Sequence, residues 1–184
     1  MLSPMMMLFA FSTLACLLMA HVASANDEHS AHEHHAHVHG LVQLTIAIEN
    51  DSLLINLLAP ANSFVGFEHK AETKQEIASV KRLQSILNEV SNVITLAPSS
   101  CNLSDKTLDI DALLPTRIES KHQAHAEISA EYQLDCQQLA EATSIRIVLF
   151  EHFPTIEKIE ASWLNNNKQG ATNLTRKKNT LFWQ

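Results

Sequence analysis

Leu41-Val42-Gln43-Leu44-Thr45-Ile46-Ala47-Ile48-Glu49, followed by Asn50-Asp51 and then Ser52-Leu53-Leu54-Ile55-Asn56-Leu57-Leu58-Ala59, decides the fold. In the first segment Val42, Leu44, Ile46 and Ile48 alternate with Gln43, Thr45, Ala47 and Glu49. A period of two puts one set of side chains on each face of a strand, so this strand buries one face. Asn50-Asp51 suits a tight turn, because Asn and Asp tolerate positive φ. The second segment is a strand with Leu53, Ile55 and Leu57 on one face. Leu54 and Leu58 on the other lead to the expectation that it is covered on both sides. Pro60 ends it.

Beyond this pair, residues 60–72 read as a loop that packs Phe64, Val65 and Phe67 back onto the core, with Gly66 allowing a sharp bend. Thr73-Lys74-Gln75-Glu76 fits the capping box T-x-x-E. Ile77, Val80, Leu83, Leu87 and Val90 follow at helical spacing and predict a helix over about 74–90. Short strands are expected at 93–97 and 144–150, and a longer one at 125–136, where alternation is strong. A hairpin of 156–164 with 171–175 and a terminal segment near 180–183 complete the pattern. Residues 101–121 are polar and acidic and predict no element. The fold class is therefore α+β, a mostly antiparallel sheet with one principal helix.

Upstream the chemistry changes. Residues 5–20 are apolar, and Ala23-Ser24-Ala25 has the A-x-A form of a cleavage site. Residues 1–25 read as a secretory signal peptide, residues 26–39 as a flexible His-rich tail, and residues 40–184 as a single domain. No Lys or Arg precedes the apolar run, and an uncleaved anchor or a Cys16 lipoprotein are the competing readings. Cleavage predicts export, with no stable membrane insertion afterwards. It removes Cys16 and leaves Cys101 and Cys136, an even pair expected to form a disulfide in an oxidising compartment. The alternative, two thiolates on a metal, lacks C-x-x-C spacing.

Of 184 residues, 11 are histidine. His21 leaves with the signal. His29, His32, His34, His35, His37 and His39 fall within the run HSAHEHHAHVH. That run has no apolar periodicity and cannot bury itself, so it is expected to be disordered. Neutral imidazole ligates Zn, Cu and Ni, and alternate spacing on a flexible backbone lets rings converge on one ion. A pH-responsive tail is the competing reading, because His titrates near neutrality.

The remaining histidines, His69, His122, His125 and His152, lie in the domain and are candidate ligands of an ordered site. His69 follows Glu68, a pair that either binds metal or orients its loop. The net charge of −7 disfavours nucleic acid, which requires clustered Lys and Arg. No G-x-S-x-G or H-E-x-x-H occurs, so no hydrolase is indicated.

Four segments point in one direction together: His37-Val38-His39-Gly40 running into the first strand; Ala59 to His69, with Val65-Gly66-Phe67-Glu68-His69 its most specific part; His125 and Tyr132 upstream of Cys136; and Phe150-Glu151-His152-Phe153-Pro154. Over roughly residues 37–184 the chain resembles the ZrgA-type zinc-regulated periplasmic proteins. The resemblance implies a zinc-binding protein that captures or buffers Zn²⁺ and assists uptake with a periplasmic uptake component, and implies no enzyme. An interaction module with a responsive tail and a copper- or nickel-handling protein are the alternatives. One departure stands out. Members of that family often carry a long His/Asp/Glu-rich insertion between the positions matching Cys101 and His125. Here the interval holds Asp105, Asp109, Asp111 and His122.

Overall fold

A computed structural model describes residues 38–97, 100–115, 126–166 and 168–183. The first strand, β1 (Leu41–Glu49), pairs antiparallel with β2 (Ser52–Pro60), and Asn50 turns the corner at φ 54°. After β2 come the single-turn α1 (Asn62–Val65), α2 (Lys74–Leu87), β3 (Ile94–Leu96) and β4 (Ser100–Asp109). Then follow β5 (Glu127–Gln137), β6 (Ser144–Ile147), the single-turn α3 (Leu149–His152), β7 (Lys158–Asn165), β8 (Lys168–Leu174) and β9 (Thr180–Phe182). The strands form a six-stranded sheet, β4-β5-β2-β1-β7-β8, and a three-stranded sheet, β3-β6-β9.

Among the described residues all strand pairings are antiparallel except one: β7 lies parallel to β1, with Leu41 opposite Lys158 and Ile48 opposite Asn165. The inner face of the large sheet buries Val42, Leu44, Ile46, Leu53, Ile55, Leu57, Ile128, Tyr132 and Ile159. Val80, Leu83 and Leu87 of α2 and Ile145, Ile147 and Leu181 of the small sheet join the same core. The outer face carries polar rows such as Gln43, Thr45, Glu131 and Gln133, all exposed. A shallow groove runs along it between Gln43, Thr45, Glu160, Ser162 and Asn173.

Both ends of α2 are satisfied by side chains. At the N-terminus the predicted capping box forms: Glu76 N–H donates to Thr73 Oγ1 at 3.2 Å, and Glu76 Oε2 accepts from Thr73 N–H at 2.8 Å. At the C-terminus the Tyr132 hydroxyl donates to the Leu87 carbonyl at 2.7 Å, and Lys106 Nζ donates to Asn88 O at 3.2 Å and Oδ1 at 2.7 Å. These satisfy carbonyls a helix end leaves open, and the ammonium complements the negative end of the helix dipole. Burial raises the Tyr132 phenol's pKa and keeps it a donor. The helix stops at Leu87 rather than near 90, because these partners capture the last carbonyls. The chain then tightens into a 3₁₀ turn at Val90–Asn92.

Other expectations need correction. The loop 60–72 contains α1, one turn ended by Gly66 at φ 85°. Phe64 does pack into the core there, with Val65 and Phe67 partly buried against it. The polar stretch after Cys101 is not structureless: β4 occupies it as an edge strand. Its side chains are largely exposed and its register slips between Leu103 and Asp105, which erases any alternation. The apolar run 144–150 is not one strand, for it turns at Val148 into α3. A continuous apolar run does not distinguish a buried strand from a buried helical turn. β2 is not covered on both faces: Leu54 is half-buried and Leu58 is 37% exposed. The hairpin of β7 and β8 is tighter than expected, its last pair being Asn165 with Lys168.

Cys101 and Cys136 are bridged, facing each other across β4 and β5 with Cα atoms 4.0 Å apart. Cys136 N–H donates to Asp51 O, on the opposite side from β4. The bridge therefore joins a non-hydrogen-bonded pair, where facing side chains come closest.

Two substitutions test this frame. Tyr132→Phe strands the Leu87 carbonyl and is expected to cost about 1–2 kcal/mol in urea unfolding. Gly40→Ala is expected to lose at least about 1–2 kcal/mol in the same assay, since φ is +75° and an added Cβ would meet Glu157 Cγ at 2.9 Å and Thr155 O at 3.1 Å.

Candidate metal-ligating site

Of the described candidate residues, His39 lies where the chain enters β1. Leu41 N–H donates to Val38 O at 3.2 Å, closing a turn that Gly40 completes in the left-handed region. The Gly40 carbonyl accepts from both Glu157 N–H (2.9 Å) and Lys158 N–H (3.1 Å), so the start of β7 is bound to the turn that carries His39. Ser63 Oγ donates to Leu41 O at 3.0 Å, and Thr155 Oγ1 donates to Ser63 O at 2.6 Å. These bonds tie α1 to the entrance of β1 and the approach to β7. Ser63 is a fully buried polar residue, and this is how its groups are used.

From α1 the chain passes Gly66 into Phe67-Glu68-His69. Phe67 packs against the core and its ring stacks on His69, centroids 5.0 Å apart. The His69 ring is further placed by Nδ1 lying 2.9 Å from Lys70 O. Glu68 and His69 do not act as one pair. Glu68 Oε1 lies 3.4 Å from Nε2 of His39, while His69 Nε2 lies 3.7 Å from Glu76 Oε1. The Glu68 side chain is 15% exposed and that of His39 62%.

Two imidazole–carboxylate pairs thus stand in unlike electrostatic settings. Glu76 belongs to the first turn of α2, and its Oε2 accepts from the backbone N–H groups of Thr73 and Glu72. Those bonds, chiefly from Thr73 and then Glu72, with His69 contributing, hold its carboxyl below its ordinary value of 4.5. In the other pair, His39 stands in the turn before β1 and Glu68 in the irregular stretch after Gly66, outside any helix.

His152 closes α3, and its carbonyl accepts from Arg82 at 3.3 Å. Next to it, Arg176 donates to the carbonyls of Phe150, Phe153 and Pro154. His29, His32, His34, His35, His37, His122 and His125 lie outside the described residues, as do the signal segment and most of the His run. Among the described residues no three His, Cys, Asp or Glu side chains converge on a point. The bridge leaves Cys101 and Cys136 without thiolates, so the two-thiolate alternative is not realised. Among the described residues no helix is long and apolar enough to cross a membrane.

Sequence reasoning missed the pairing of His39 with Glu68, since residues far apart in the chain meet only through the packing of α1 on the entrance of β1. It also missed Glu76 as a partner of His69, although both the capping box and the histidine were visible.

Fold and site together define an α+β domain with a mostly antiparallel sheet, carrying one histidine–carboxylate pair at the entrance of β1 and another at the start of α2. The description "ZrgA family zinc uptake protein" fits residues 36–183, and the chain belongs to that family. A comparison with individually curated proteins gave no match.

The capping role of Glu76 yields a pH prediction. Its folded pKa is depressed, so its stabilising contribution is present above 4.5 and disappears as pH falls through the lowered folded value. Glu76→Gln keeps a side chain that caps but removes the charge. The melting temperature of the variant is expected to fall less steeply than wild type between about pH 5 and pH 3, as followed by circular dichroism.

Proposed function

We propose that this protein is a periplasmic zinc-binding protein that captures or buffers Zn²⁺ and passes it to an uptake component. The observation that carries the reading is the attachment of a run with six histidines to a domain of a zinc uptake family. Its mechanism is coordination rather than catalysis. Neutral imidazoles of His29, His32, His34, His35, His37 and His39 bind the ion, and exchange between neighbouring rings moves it along the chain. His69, His122, His125 and His152 are the domain's candidate ligands. Zinc is cargo here, and the protein is no enzyme.

A run without apolar periodicity gives up ordering entropy at each binding event, so several exchangeable ions of modest affinity suit a buffering role. The signal peptide at residues 1–25 delivers the chain to the periplasm. The Cys101–Cys136 bridge is in keeping with an oxidising compartment. Raw affinity of nitrogen ligands favours Cu²⁺ over Zn²⁺, so selectivity for zinc rests on metal availability and site geometry.

Zinc titration by calorimetry is expected to show several binding events at neutral pH and marked weakening below about pH 6, where imidazoles protonate. Deleting residues 26–36 is expected to remove most of the stoichiometry and to slow growth under zinc limitation. Absence of binding at neutral pH would refute the reading.

A further inference from the structure

We infer that the outer face of the six-stranded sheet is a docking surface for a partner protein whose own surface is apolar at its centre and basic around it. This rests on the zinc uptake reading above and assigns the face that meets the uptake component. Three observations carry it.

The first is an apolar row on a face that faces solvent. Register places Leu54, Ala47 and Leu164 side by side across β2, β1 and β7, with Gln133 and Gln169 at the two ends of the row. Leu54 and Ala47 are half-buried, and Leu164 is 47% exposed. Leu58, two rows away on β2, is 37% exposed. A sheet with one solvated face ordinarily alternates polar residues onto it. Aliphatic side chains in adjacent register instead gather apolar surface at the middle of the face, as the core of an interface does.

The second is charge. The same register turns Asp105 and Asp109 of β4, Glu127, Glu131 and Asp135 of β5 and Glu49 of β1 to the outer face, all of them exposed. Glu160 of β7 shares that face, its Oε1 accepting from Lys158 Nζ at 2.6 Å. Among the described strand residues of the face, Lys158 is the only cation. Against a second copy of itself, an anionic lipid surface or nucleic acid, this face sets like charges together. A basic protein surface complements it, and the opposite charge also speeds encounter.

The third is preorganisation. The shallow groove along Gln43, Thr45, Glu160, Ser162 and Asn173 lies beside the apolar row and supplies amide and hydroxyl groups that donate and accept. β5, β2, β1 and β7 each have a strand paired on both sides, so the backbone under these side chains is already fixed. A surface held in this way gives up little ordering entropy on association. The exposed side of α2 offers a contrast. It carries Lys74, Lys81 and Arg82 and no exposed large apolar side chain.

Complementation of a strain lacking the gene tests this, with zinc-limited growth and calorimetric zinc titration read on the same variants. Leu164→Arg and the double variant Glu131→Lys, Asp135→Lys change exposed side chains, and circular dichroism checks that each is folded; if one is not, the other decides. Both are expected to bind zinc as wild type does and to lose most of the growth that wild type restores. Ser85→Arg, on the exposed side of α2, is expected to restore growth fully. A photo-crosslinking residue in place of Thr45 is expected to give an adduct with a different protein, and the double variant to abolish it. Full growth with both face variants, weakened zinc binding in both, or an adduct with a second copy alone would overturn the docking face and leave the zinc reading standing. Undiminished zinc-limited growth of the strain lacking the gene would overturn both.

Discussion

The backbone of residues 40–48 must hydrogen-bond on both edges at once, antiparallel to β2 and parallel to β7. Much of the architecture follows from that double demand. A parallel neighbour cannot be reached by a hairpin, so the chain builds β2, α1, α2, β3, β4, β5, β6 and α3 before β7 comes back to β1. The Gly40 carbonyl fixes where it docks by accepting from Glu157 and Lys158. A side chain at position 40 would intrude on Glu157 and Thr155, so the glycine serves close approach as well as dihedral freedom. Register then decides which residues face inward: Val42, Leu44, Ile46 and Ile48 enter the core, and a slip of one residue would expose all four.

The same junction joins fold to site. The bonds that dock β7 and α1 at the entrance of β1 also bring the Glu68 loop alongside His39. On the other side of that loop the capping box starts α2 and places Glu76 beside His69. Helix α2 is held at its far end by Tyr132 from β5 and Lys106 from β4, so that end of the helix is referenced to the sheet. The loop carrying Glu68 and His69 is thus set between β2 and α2.

How much of this the sequence disclosed depended on whether an element is amphipathic. β1, β2, β5 and α2 each bury one face and could be read from period alone, and Thr73 with Glu76 announced the helix start. β4 buries little on either face and left no pattern, although Cys101 and Cys136 hinted that the two segments meet. α3 lies inside an apolar run, where Leu149 and Phe150 are as buried as neighbouring strand residues. For the site, sequence supplied the histidines but not their partners. Adjacent residues such as Glu68 and His69 look like a pair on paper. The folded chain sends their side chains to different partners, and that division is tertiary information.

The bridge between Cys101 and Cys136 has a consequence for the order in which the molecule matures. It fastens the outermost strand, β4, whose side chains are mostly in solvent and contribute little burial to hold it. Before oxidation that strand is retained by its ladder and by Lys106 reaching Asn88. If it peels away, the hydrogen-bonding edge of β5 is left bare, an open template for another chain. Oxidation is therefore less a reinforcement of the core than a fastening of the outermost strand over the edge of β5.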